Sequence, residues 1–270
     1  MSILTKLLRE RFGSLGDPKP ALAQEVARMR GAYLELMKDC LIGRLYEDPS
    51  FHDPKFQPEW RELGLDWPTQ AHSMIGNRRM INLWQLCEDV IVKGVPGDFI
   101  ETGVWRGGAC IFMRAILKTY GVEDRTVWLA DSFEGLPPPN EEKYPQDRGS
   151  NFHIHKPLAV SLEEVQRNFL KYGLLDSQVR FLKGWFKDTL PVAPIDRLAV
   201  LRLDGDMYES TMDALSALYG KLSPGGYVIV DDYCIPACRA AVSEFRQRHR
   251  IDEPMREIDT SSVYWQARQP

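Results

Sequence analysis

The chain has no apolar run near the roughly 20 residues that a membrane-spanning helix requires. Its opening, MSILTKLLRERFGS, scatters charges among leucines instead of setting them ahead of an apolar core, so the expectation is a cytoplasmic protein with no membrane partner. Positive charge is also short: 34 Lys and Arg against 38 Asp and Glu leave a net −4, which offers little attraction to a phosphate backbone and argues against nucleic acid. Cysteine is sparse, odd in number and scattered at Cys40, Cys87, Cys110, Cys234 and Cys238, as expected of reduced thiols. Cys234 and Cys238 are separated by three residues rather than the two of a zinc knuckle, and no second Cys or His pair follows. Internal repeats and low-complexity tracts are lacking as well. What remains, 44% hydrophobic and 27% charged over 270 residues, suits one large α/β domain with an appended segment.

Residues 1–68 read as a helical segment followed by an arm, and residues 69–270 as the main domain. ALAQEVARMRGAYLELMKDCLIG has apolar residues at helical spacing, whereas YEDPSFHDPKFQPEWRELGLDWP is aperiodic and rich in Pro and charge. Phe51, Phe56, Trp60 and Trp67 mark this second stretch as a lid or a contact surface rather than a bare linker. Thereafter strands and helices alternate. GDFIETG, TVWLADSF, QVRFLKGW, RLAVLRLDGD and YVIVDDY read as strands. Between or after them come GACIFMRAILKTYG, SLEEVQRNFLKYG with Ser161 and Glu164 at capping-box positions, ESTMDALSALYGKLSPGG with a Gly/Pro stop, and ACRAAVSEFRQRHR. MREIDT and SVYWQA add two weak strands. This rhythm predicts a doubly wound, mostly parallel sheet of Rossmann-like type, with ligands outside the carboxyl ends of the strands.

Three constellations fall at those ends. In Glu101-Thr-Gly-Val-Trp-Arg-Gly-Gly, Gly103 and Gly107 would let backbone approach a ligand, but Trp105 stands where a dinucleotide fingerprint needs its second Gly. A carboxylate beside such a turn suits a cationic ammonium better than a phosphate, which points to S-adenosylmethionine. Asp131, ending the next strand, is placed to meet ribose hydroxyls. Finally, Asp204-Gly-Asp206 and Asp231-Asp232 end two strands expected to lie close together, with only Arg202 nearby in sequence to offset them. Oxygen-only ligation selects a hard divalent cation, Mg²⁺ first, and the lack of His or Cys ligand pairs argues against zinc.

The motifs ETGVWRGG, ADSFEGLP, VSLEEVQRNFLKYGL, LKGWFKDTLP, LRLDGDMYESTMDAL and PGGYVIVDDY, with AHSMIG upstream, resemble the macrocin O-methyltransferase family. These enzymes methylate sugar hydroxyls on macrolide and aminocoumarin antibiotics. The resemblance spans about Trp67 to Tyr233 and implies a class I S-adenosylmethionine-dependent methyltransferase fold, Mg²⁺ and a homodimer. Carried over motif by motif, it implies that Glu101, Thr102, Gly103 and Gly107 line the methionine part, Asp131 and Ser132 the ribose, and Gly184 and Trp185 the adenine, with Met74 closing over the cofactor. It further implies Asp204, Asp231 and Asp232 as metal ligands and Asp206 as the base. Tyr208, His153 and His155 lie on loops near this face, and Tyr208 and His155 are taken as sugar contacts. The expected acceptor is a glycosylated small molecule. Rival readings are a catechol-type methyltransferase with the same metal logic, a metal-dependent hydrolase, or a nucleotide-binding module without activity.

Overall fold

The computed structural model describes residues 20–268. Its first helix, α1 (Pro20–Leu41), buries Leu34, Met37 and Leu41, while Leu22, Val26, Met29, Tyr33 and Leu36 form an exposed stripe at alternating spacings of four and three. The arm that follows is not wholly irregular: α2 (Pro58–Leu63) sits within it, opened by Pro58 and ended by Gly64. A buried arginine fastens this arm. Arg61 pairs with Asp66 at 2.7 Å and donates to the carbonyls of Ile42 and Asp48.

Then come α3 (Gly76–Val92), β1 (Asp98–Thr102), α4 (Gly108–Thr119), β2 (Val127–Asp131) and α5 (Leu162–Lys171), the last capped as expected by Ser161 Oγ accepting from Glu164 N at 3.2 Å. The chain continues through β3 (Val179–Lys183), the single turn α6 (Phe186–Thr189), β4 (Leu198–Leu203) and α7 (Tyr208–Leu218). It ends with β5 (Leu222–Val230), α8 (Pro236–His249), β6 (Arg256–Glu257) and β7 (Val263–Gln266). The Leu-Ser-Pro-Gly-Gly stretch, read as a helix stop, lies inside β5. Pairing with β4 jumps from Leu198↔Leu222 to Val200↔Tyr227, so residues 223–226 bulge out.

The strand order is β3-β2-β1-β4-β5-β7-β6, with β3 to β5 all parallel, β7 running antiparallel to both of its neighbours, and β1 in the middle of the five parallel strands. Alternation along each strand feeds two cores. Phe99 and Leu129 pack with α1, α3, α4 and α5 on one face; Ile100 and Trp128 pack toward α7 and α8 on the other. Leu34, Met37, Leu41 and Ile42 share the first core, so α1 is continuous with the main domain. The reversal of strand order between β1 and β4 opens a crevice at the carboxyl ends, where the sequence placed its carboxylates.

Candidate active site

A cavity of about 470 Å³ occupies that crevice. Of the residues expected to hold a cofactor, Met74, Glu101, Gly103, Asp131, Ser132, Gly184 and Trp185 line it. Thr102 and Gly107 do not. Adjacent strand residues face opposite sides of the sheet, so with Glu101 facing the cavity Thr102 is buried, its hydroxyl directed at the carbonyl of Arg202. The glycines also serve a purpose other than ligand approach. At Gly103, φ +89, a Cβ would lie 1.7 Å from the carbonyl oxygen of Asp204; at Gly107, φ +84, it would lie 2.8 Å from Val165. The first glycine therefore seats the β1 turn against the β4 turn, and the second seats α4 against α5.

Glu101 and Asp131 are both bound within the protein. Register sets Glu101 beside Arg202, and their side chains meet at 2.5 Å while Cys110 Sγ lies 3.0 Å from the other carboxylate oxygen. Burial nevertheless pushes Glu101 up to about 7, against the pull of Arg202. Asp131 accepts from Val104 N at 2.7 Å and Phe133 N at 2.8 Å, bracing the turns after β1 and β2. A carboxylate offers about four lone-pair sites, so capacity toward a ligand remains. Ser132 Oγ donates to the carbonyl of Gly135 and accepts from Glu134 N.

At the other end, ligand atoms of Asp204, Asp231 and Asp232 lie within 4.8 Å of one another. Arg202 reaches Asp204 at 2.6 Å and also bonds Asp231. The expectation that Arg202 alone offsets this charge is incomplete, because Arg79 of α3 bonds Asp231 at 2.6 Å and Asp259 at 2.7 Å. Nothing in sequence links residue 79 to residue 231; the packing of α3 over β4 and β5 does. Even so, carboxylates outnumber arginines. Burial first, then mutual repulsion, holds Asp204, Asp206 and Asp232 above the usual carboxylate range. Asp206 has left-handed backbone, φ +59, a conformation in which Asp is among the commoner residues, and its N–H donates to Asp232 Oδ2 at 3.0 Å.

Tyr208 and His155 are not part of the cavity wall. The Tyr208 ring is buried and its hydroxyl donates to Glu244 of α8 at 2.7 Å, while His155 meets the edge of Trp67, itself a wall residue. Residues the motifs did not single out take their place: Glu209 and Asp213 of α7, Asn140, Phe152 and Lys187. The α7 pair was legible, since positions four apart share a helix face. In the arm, Phe51 and Trp60 are exposed, Phe56 lies under Arg61, and Trp67 reaches the cavity.

Comparison with known proteins identifies the family and the fold. A sequence model described as Macrocin-O-methyltransferase (TylF) matches residues 47–267. The mycinamicin III 3''-O-methyltransferase of Micromonospora griseorubida is 54% identical over 241 residues, covering 86% of this chain and 95% of that protein. The demethyldecarbamoylnovobiocin O-methyltransferase of Streptomyces niveus is 55% identical over 252 residues, 90% of this chain and 96% of that one. Among solved structures, the O-methyltransferase NovP superposes with a TM-score of 0.87 at 56% identity, over 89% of this chain and all of that chain, which places the fold with the class I methyltransferases. The chain belongs to the macrocin O-methyltransferase family and is an S-adenosylmethionine-dependent O-methyltransferase.

Proposed function

We propose that the chain methylates a sugar hydroxyl of a glycosylated natural product, with a hard divalent cation, Mg²⁺ first, held by Asp204, Asp231 and Asp232. The observation that carries this reading is the convergence of those three carboxylates beside Asp206 in the same cavity as Glu101 and Asp131. The donor set fits such an ion: all ligand atoms are oxygens, close together and only partly neutralised by Arg202 and Arg79. When bound, the cation would acidify the acceptor hydroxyl, and S-adenosylmethionine supplies the electrophilic methyl. The chain's own residues do the rest. Met74, Gly184 and Trp185 would hold the cofactor, and Asp131 would take its ribose. Asp206, off the ligand set, would receive the acceptor's proton. Rigid placement of both substrates by the turns after β1, β2, β4 and β5 supplies much of the acceleration.

The acceptor class rests on two supports. The named relatives include a mycinamicin III methyltransferase and one, from Streptomyces olivaceus, whose name specifies a rhamnosyl-tetracenomycin 4'-hydroxyl. The cavity wall is also acidic, with Asp206, Glu209 and Asp213 on the α7 side, which disfavours an anionic nucleotide-activated sugar. The exposed stripe of α1 supports a homodimer in which a second copy covers it. The test is methyl transfer from labelled S-adenosylmethionine to mycinamicin III, demethyldecarbamoylnovobiocin and catechol, with and without Mg²⁺. Mg²⁺-dependent transfer to a glycoside is expected. Transfer to catechol alone, or transfer indifferent to chelator, overturns the reading.

A further inference from the structure

The connection between β2 and α5, residues 132–161, contains no α-helix or strand, only three short 3-10 turns at Pro145–Asp147, Phe152–Ile154 and Lys156–Leu158. Connections this long without regular structure are uncommon in compact domains and are usually functional. This one supplies Leu136, Pro138, Asn140 and Phe152 to the cavity wall. Its midpoint is fastened at one residue. The carboxylate of Asp147, buried at 1% exposure, accepts from the backbone N–H groups of Tyr208 at 2.6 Å and Glu209 at 3.1 Å. These are free amides of the first turn of α7, and the residue preceding that helix, Met207, offers no side-chain cap. The cap therefore comes from the loop, 61 residues upstream. The ring of Tyr144 packs against that of Tyr208, centroids 5.8 Å apart, at the same point.

The turn that α7 follows is the one bearing Asp206. Its N–H is taken by Asp232 Oδ2 on one side, and Met207 N donates back to Gly205 O at 2.5 Å. On the other side the chain runs directly into α7, whose first-turn amides Asp147 holds. Asp206, in its left-handed conformation, is thus clamped between two carboxylates, one at the end of β5 and one on the loop that walls the acceptor side.

We propose that Asp147 is a positioning residue, which makes the seating of loop 132–161 and the placement of Asp206 a single event. The proposal rests on the reading of Asp206 as proton acceptor. An Asp147→Ala variant of the full chain would lose the cap. Hydrogen–deuterium exchange with S-adenosylhomocysteine bound should show the amides of Tyr208 and Glu209 exchanging faster and, together with them, residues 136–158. On the glycoside accepted in the transfer assay, kcat should fall by about 10- to 100-fold, the scale on which small misplacements of a reacting group act. S-adenosylhomocysteine affinity by calorimetry should stay within about twofold, since Asp147 touches no residue assigned to the cofactor. Asp147→Asn keeps one acceptor oxygen and should recover an intermediate kcat; if the Ala variant does not fold, the Asn variant is read by the same measurements. A cap with a merely structural role would lower Tm yet leave kcat within about twofold well below Tm, and that result, or unchanged exchange in the loop, overturns the proposal. Asp206→Asn is assayed alongside. Full activity there overturns the base reading and the role of Asp147 with it, whereas loss there with an unaffected Asp147→Ala overturns Asp147 alone.

Discussion

At the β1–β2 end of the cavity the carboxylates are committed to the protein, Glu101 to Arg202 and Asp131 to the amides of Val104 and Phe133. At the β4–β5 end, Asp204, Asp206, Asp231 and Asp232 crowd together with fewer cations than they need. Cationic neighbours without such a carboxylate excess stand near the first end. His72 there feels both Lys171 and Arg106, and burial first, then those charges, lowers it to about 4. One end is a preformed socket whose polar groups are mostly satisfied, suited to a ligand that adds contacts. The other holds an electrostatic deficit that a cation and an acidified hydroxyl would relieve.

The largest effect expected on that contrast comes from Asp206→Asn. It should leave cofactor binding intact and lower kcat by roughly 10²–10⁴, as loss of a general base does. Steady-state kinetics beside calorimetry with S-adenosylhomocysteine would check it. Wild-type kcat would remove Asp206 from the mechanism.

Next, Asp204→Asn should weaken Mg²⁺ binding on the order of a hundredfold and be partly rescued by excess metal, since an amide oxygen is a poor ligand for a hard ion. A Mg²⁺ titration of activity, with Mn²⁺ binding followed by electron paramagnetic resonance, reads this directly. Equal metal affinity in both proteins would contradict the ligand assignment.

A smaller change is expected at the socket. Asp131→Ala strips the buried N–H of Val104 of its partner, which should cost about 1–3 kcal/mol of stability and weaken S-adenosylmethionine binding by about tenfold. Calorimetry of unfolding and of binding would separate the two losses. Unchanged affinity would mean that Asp131 only braces the turns.

The smallest effect concerns His72. Its folded value, about 4, lies below the ordinary 6.5, so between these the unfolded chain binds more protons. Stability present above pH 6.5 is therefore lost as pH falls toward 4. Thermal unfolding from pH 7 to 4 should show a shallower decline in His72→Gln than in wild type, and parallel curves would refute the assignment.

Much of this was written in short patterns. Alternating strand and helix segments, the carboxylate-ended strands and the Ser161 cap all appear as read, because each depends on residues close in sequence. The misses share one cause. Gly107 looks like a ligand-approach glycine until Val165 is seen against it, whereas Gly103 lines the cavity and also seats the turn of Asp204. Tyr208 belongs to the right motif but opens α7 facing α8, while its neighbour Glu209 faces the cavity. Thr102 is turned away by the pleat that turns Glu101 in.

By itself, then, the sequence determined the doubly wound sheet, the family and the acidic strand ends, since hydrophobic period and motif order are local properties of the chain. Only the tertiary structure decided which charges meet. Arg79 reaches Asp231 across 152 positions, Arg202 reaches Glu101 across 101, and Asp147 caps α7 from 61 residues away. Such partners are set by strand register and by the packing of helices over the sheet, which no spacing along the chain encodes.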